Sequence, residues 1–155
     1  MAEYTAIAVQ TVNPGETVVF TAAPVPCRRG LINHMDGTGA FGLSGKYASQ
    51  SCCCCGQNGT AQYLVDFKAN VANPAGVTPG EIDLAIVLDG TTVPASVMRT
   101  TPTVAEAYFN VGTSNAVDVW SGCCQTIGIR NTGPDPILVQ DAVIRINRPD
   151  LIMTR

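Results

Sequence analysis

Charge is what this sequence has least of. Charged residues make up 14% of its 155 positions, against about 25% in an average soluble domain. There are two lysines, Lys46 and Lys68, and one histidine, His34. The net charge is −3, and the nine basic residues are scattered, with Arg28-Arg29 the one adjacent pair. Nothing here offers the clustered Lys and Arg that a phosphate backbone demands, so no nucleic acid is expected as a partner. Apolar content is ordinary at 46%. So neutral a surface associates, and much of the exterior is expected to be covered by other copies of the chain.

Long apolar runs are missing as well. "LAIVL" at 84–88 has the length of a strand, far short of a membrane span, and no membrane insertion is expected. The opening "MAEYTAIAVQ" carries Glu3 and no basic n-region, which does not read as a secretory signal. The expectation is a product made in a cytoplasm that reaches any outside location by another route. Helix periodicity is almost absent. So are the G-x-S-x-G, H-E-x-x-H, P-loop and dinucleotide fingerprints.

What is present is alternation. Apolar and polar residues alternate, or β-branched residues form short runs, and Gly, Pro, Asn and Asp break them every 8–12 residues or so, the spacing of an all-β sandwich or barrel. "EYTAIAVQTV" reads as a first strand, Asn13-Pro14-Gly15 as a turn, and "ETVVFT" as the next strand. "RRGLINHM" and "AFGLSG" read as a hairpin about Asp36-Gly37-Thr38-Gly39. In "AQYLVDFKANVA", Tyr63, Val65, Phe67, Ala69 and Val71 share one face, while Asp66, Lys68 and Asn70 share the other, as in a half-buried antiparallel strand. "GEIDLAIVLDG" repeats the device with Ile82, Leu84, Ile86 and Leu88 inward. Pro94 in "TTVPASVMRT" belongs at an edge or bulge. "AEAYFNV" and "AVDVWSG" read as two strands joined by the polar turn Gly112-Thr113-Ser114-Asn115. "QTIGIRNTG" turns through Gly133-Pro134-Asp135-Pro136 into "ILVQDAVIRINR". This makes about ten strands in a single domain, 1–155, which by length hides roughly 70% of its unfolded surface.

The order of "Y-x-V-x-F" at Tyr63 to Phe67, "I-x-L-x-I-x-L-D-G" at 82–90, "TIGIRN" and "ILVQDAVIRI" resembles the tumour necrosis factor-like superfamily, which includes complement globular heads. It is similar above all to bacterial and phage versions, such as the tips of collagen-like exosporium glycoproteins and phage head-fibre domains. The resemblance runs from about Thr5 to Arg148. It implies a ten-strand antiparallel jelly-roll sandwich that assembles as a compact homotrimer, with apolar and aromatic side chains between subunits. Two features depart from the pattern: no Gly-X-Y stalk precedes the domain, and the eukaryotic members lack four adjacent cysteines.

Catalysis needs a base with a nucleophile or metal on facing elements, and the residues do not supply the set. His34 lies between Asn33 and Met35 on an expected strand, where a lone histidine is more often packed or hydrogen-bonded than a general base. In a trimer, three copies could meet on the axis around an ion or at a pH-sensitive contact. Asp83 and Asp89 flank a strand on its outer face, and Asp36 and Asp135 fall in turns. Some relatives bind calcium, to which Asp135 could contribute, although the pattern is no ion-loop motif. Trp120, the single tryptophan, reads as core or interface packing.

Seven cysteines remain: Cys27, the run Cys52, Cys53, Cys54 and Cys55, and the pair Cys123 and Cys124. Neighbours rarely bond each other, because Cα atoms across a trans peptide are about 3.8 Å apart and disulfides prefer about 5.5–6 Å. The run must therefore look to Cys27, to Cys123-Cys124 or to another subunit. Zinc is an alternative, with Cys52, Cys55, Cys123 and Cys124 as a four-sulfur set. A low-pKa redox thiol would want a helix N-terminus, and none is expected. Buried inert thiols are the fourth reading. Disulfides leave at least one of seven thiols for a neighbour, which suits a durable particle that oxidises after release.

The expectation is a non-enzymatic structural or attachment protein on a phage particle surface: a head fibre, decoration or receptor-binding trimer. It would touch other virion or surface-layer proteins and a host-surface glycan. The alternatives are a Gram-positive spore-surface protein and a carbohydrate or small-ligand binding module.

Overall fold

The computed structural model describes residues 1–27, 30–46 and 59–149. Their elements are twelve strands and one 3₁₀ turn. In chain order the strands are β1 (Ala2–Ala6), β2 (Gln10–Val12), β3 (Ala22–Val25), β4 (Ile32–His34), β5 (Phe41–Gly45), β6 (Thr60–Ala72), β7 (Ile82–Leu88), β8 (Thr91–Thr92), β9 (Met98–Thr100), β10 (Phe109–Trp120), β11 (Gly122–Asn131) and β12 (Ile137–Asn147). One sheet runs β10-β6-β12-β1-β3, with β2 also on β12. The other runs β4-β5-β11-β7-β8, with β9 also on β7. All named pairs are antiparallel. The inner faces of both sheets meet in one hydrophobic cluster. This is an all-β antiparallel jelly-roll sandwich: the alternation points to a sandwich or barrel, and the jelly roll is what the resemblance implies.

β6 shows the cause most directly. Ala61, Tyr63, Val65, Phe67, Ala69 and Val71 are buried, and the residues between them face outward. A strand turns successive side chains to opposite faces, so this period can bury only one of them. β7 departs from the expected alternation, since Ala85 and Val87 are buried along with Ile82, Leu84 and Ile86. The edge of β7 is paired by the segment that folds back along it. β8 pairs with its end, β9 with its start, and between them Ser96 accepts the Ile86 N–H at 2.8 Å. Pro94 opens the 3₁₀ turn that interrupts this edge, at the sheet edge its missing donor requires.

Three strand boundaries differ from the sequence reading. "EYTAIAVQTV" is broken into β1 and β2, both on β12. The break lies opposite Asp141, whose φ of 53° marks an irregularity in β12 and whose N–H reaches the Ile7 carbonyl. "ETVVFT" makes only isolated bridges, Thr17 to Arg130 and Phe20 to Thr38. It changes partners midway, so no ladder develops, and Val18 and Phe20 anchor it by full burial. The expected turn at 112–115 does not exist. Residues 109–120 form one strand paired with 60–71 without a register shift. Gly112 is there for clearance, since a Cβ would stand 3.0 Å from the Phe67 carbonyl oxygen.

Candidate functional site

The cysteine readings fall largely on Cys52, Cys53, Cys54 and Cys55, which lie outside the described residues, as does the side chain of Cys123. Cys27 is half-buried against the core, and its main chain hydrogen-bonds Tyr4. Burial, followed by the Cys27 thiol, pushes the Tyr4 phenol above its usual range. Cys124 is exposed on β11. The described chain does locate the ends of the four-cysteine segment. Gly45 pairs with Gly122, and the Ser121 N–H donates to the Gly59 carbonyl at 3.0 Å. The chain thus enters and leaves that segment beside residues 121–122, next to Cys123 and Cys124. Among the described residues no three His, Cys, Asp or Glu side chains gather as metal ligands.

His34 is the packed and hydrogen-bonded residue that its position suggested. Its ring stacks on Phe41 with centroids 4.3 Å apart and meets Tyr4 edge-on. Nδ1 lies 3.1 Å from the Ala40 carbonyl and Nε2 3.4 Å from that of Phe20. Asp83, expected outward, is buried and takes a two-point contact from Arg99, at 2.7 and 3.1 Å. Asp89 sits in a turn at φ 48° and accepts the Thr126 N–H and the Gln125 amide. The Asp135 main-chain carbonyl accepts Asn131 at 2.8 Å.

The broad outer face of the first sheet is built by register. Glu3 stands opposite Arg145, Arg145 opposite Asp66, and Asp66 opposite Ser114, a row across β1, β12, β6 and β10. Arg145 donates to Glu3, and the Ser114 hydroxyl donates to Asp66. Glu3 holds the Arg145 guanidinium above its usual range. The next row is Thr5, Val143, Lys68 and Gly112, and a shallow depression of about 180 Å³ lies between Lys68, Val143 and Arg145. Toward the other end Leu64 and Trp120 are exposed, the latter by 62%, with the polar pair Gln62 and Asp118 in the row between them. Trp120 is therefore not core.

No family model matches the sequence, and no curated protein matches it. Solved structures do match. The globular domain of zebrafish complement 1qA protein superposes with a TM-score of 0.63 at 10% identity, over 96% of this chain and 95% of that one. Eiger TNF from S. frugiperda gives 0.62 at 11%, over 95% and 90%, and murine APRIL at pH 5.0 gives 0.52 at 11%, over 93% and 98%. The fold is a TNF/C1q-like jelly roll. In this jelly roll the β1-β12-β6-β10 face carries ordered charges at its centre and an aromatic toward one end. The Glu3–Arg145–Asp66 row could not be read from the sequence, because Arg145 and Glu3 are 142 residues apart.

Proposed function

We propose that this domain is a non-enzymatic structural or attachment module that works as a homotrimer. The observation that carries the reading is Trp120, 62% exposed on the same face as the exposed Leu64. A tryptophan left in water by a lone protomer is a ready anchor for a neighbouring copy. The low charge of 14% points the same way, as does the three-fold assembly implied by the resemblance to tumour necrosis factor-like domains. The fold likeness to complement and TNF domains is compatible with a binding or structural role.

The proposed setting is a phage particle surface, as head fibre, decoration or receptor-binding knob, in contact with other virion proteins and a host glycan. A spore surface would suit the same properties, and gene neighbours encoding capsid proteins or sporulation-timed expression separate the two. Disulfides from the four-cysteine segment, whose ends abut residues 121–122 beside Cys123 and Cys124, would make the assembly durable.

Native mass spectrometry of the purified protein, with and without reductant, tests the reading. A trimer is expected, with mass deficits of paired hydrogens in the oxidised sample. A clean monomer with seven free thiols would overturn both the assembly and the cross-links, and added multiples of zinc would replace the disulfide reading with the metal one.

A further inference from the structure

The sheets of this protein end in strands of very unequal length. Among the described residues β3, β4 and β8 close three of the four sheet edges with 4, 3 and 2 residues, and β3 carries Pro24. Short strands and proline keep a free edge from pairing with another chain. β10 closes the remaining edge and is 12 residues long. It holds no proline, lysine or arginine, and its ladder with β6 runs from Phe109 to Trp120 without a bulge. The usual guards are missing from this edge alone.

The register shows which groups the edge leaves open. The Ser121 N–H donates to the Gly59 carbonyl, one step beyond the pair Trp120 and Thr60. Hydrogen-bonded pairs alternate along an antiparallel ladder. The odd-numbered residues of β10 therefore bond to β6, and the even-numbered ones turn their N–H and carbonyl groups away from it. Trp120 agrees, since its N–H turns to the Gln125 side chain at 3.1 Å. From Asn110 to Asp118 these outward main-chain groups meet no partner among the described residues. Asn110, Gly112, Ser114, Ala116 and Asp118 are all exposed.

We propose that a second copy of this chain pairs with the β10 edge, antiparallel, about a two-fold axis at Ser114. The strand is symmetric about that residue. In "NVGTSNAVD", Asn110 to Asp118, such an axis sets Val111 opposite Val117 of the other copy, Gly112 opposite Ala116 and Thr113 opposite Asn115. Burial repeats the symmetry, with Val111 and Val117 buried and Thr113 and Asn115 half-buried. Like sizes meet, and Asp118, the one charge, faces Asn110 rather than another carboxylate. An axis one residue to either side sets Val111 opposite Asn115 or Val117 opposite Thr113, and the match is lost. The axis at Ser114 also brings even-numbered residues opposite even-numbered ones, so each free donor meets a free acceptor. A two-fold contact uses one surface twice, which a symmetric strand satisfies. This goes beyond the assembly reading, which rests on Trp120 on the sheet face and not on the sheet edge.

The test is amide hydrogen exchange, read by ¹⁵N–¹H NMR on the intact, reduced protein at about 1 mM. The Val111, Thr113 and Asn115 amides are held by β6 and report whether each variant keeps its fold. The Gly112 and Ala116 amides can be held only by a second copy. They are expected to exchange about tenfold or more slowly in the unsubstituted protein than in Ser114→Lys, which sets two cations against each other at the axis. Ser114→Glu should lose the protection in the same way. An equimolar mixture of the two variants should restore it, because opposite charges then face, and a strand that is merely disturbed has no such rescue. Trp120→Ala should leave the protection in place, which separates this contact from the assembly reading. The proposal fails if Gly112 and Ala116 exchange as freely as unpaired amides, if Ser114→Lys keeps their protection, if the mixture does not restore it, or if Trp120→Ala abolishes it.

Discussion

The Tyr63 hydroxyl donates to the Ser44 carbonyl at 2.6 Å and reaches the Leu31 carbonyl at 3.2 Å. Tyr63 belongs to β6 in one sheet and Ser44 to β5 in the other, so a single side chain ties the two layers together. Arg148 completes the clamp: its guanidinium lies 5.6 Å above the Tyr63 ring and donates to the Lys46 carbonyl at 2.7 Å. The knot sits where the chain leaves β5 and later enters β6, and it holds one end of the sandwich shut.

Tyr63→Phe keeps the ring and removes the donor, which leaves buried carbonyls short of a partner. Chemical denaturation should show a loss of about 1–3 kcal/mol. Tyr63→Ala and Phe67→Ala should each cost about 3–5 kcal/mol, because both empty the inner face of β6. Unchanged midpoints for the alanine variants would mean that β6 buries its other face.

Asp89 should give the acid limb of the stability curve a measurable slope. Its carboxyl is held below its usual range, first by the Thr126 N–H and then by the Gln125 amide. A folded pKa below the unfolded value of about 3.9 means stability that is present above roughly pH 4 and lost as pH falls through the folded value. Asn tolerates the positive φ at this position, so Asp89→Asn removes the charge and spares the turn. The variant should flatten the curve below about pH 4 and cost under about 1 kcal/mol at pH 7, given the exposure of the site. An acid limb identical to that of the unsubstituted protein would remove Asp89 as its source.

Trp120→Ala separates folding from association. Its exposure in the protomer predicts a change of protomer stability within about 0.5 kcal/mol. An interface anchor, by contrast, contributes about 2 kcal/mol or more to association. Sedimentation of the variant should show smaller species at concentrations where the unsubstituted protein stays assembled. Identical assembly would take Trp120 out of the interface.

Strand existence was legible in β6 and in β12, where the period of two survives over several residues, and in the hairpin of β4 and β5 from the turn formers Asp36-Gly37-Thr38-Gly39 between them. Residues 109–120 were misread for a physical reason. Gly112, Thr113, Ser114 and Asn115 are turn formers locally, but they lie opposite Lys68, Phe67, Asp66 and Val65 in an unbroken ladder. Twelve cross-strand pairs outweigh a weak local preference. His34 was readable as a packed histidine. The Asp83–Arg99 contact and the row through Arg145 were not, because each joins residues from strands that only the sheet order makes neighbours.

The sequence by itself determined that this protein is all-β, a sandwich or a barrel, and which face of its clearest strands is buried, since side-chain alternation is local and survives any choice of partner. Only the tertiary structure decided which strands pair. It alone placed Trp120 outside the core and gave Arg145 both Glu3 and Asp66 as neighbours. Those outcomes depend on contacts between residues far apart in the chain, and strand periodicity carries no record of them.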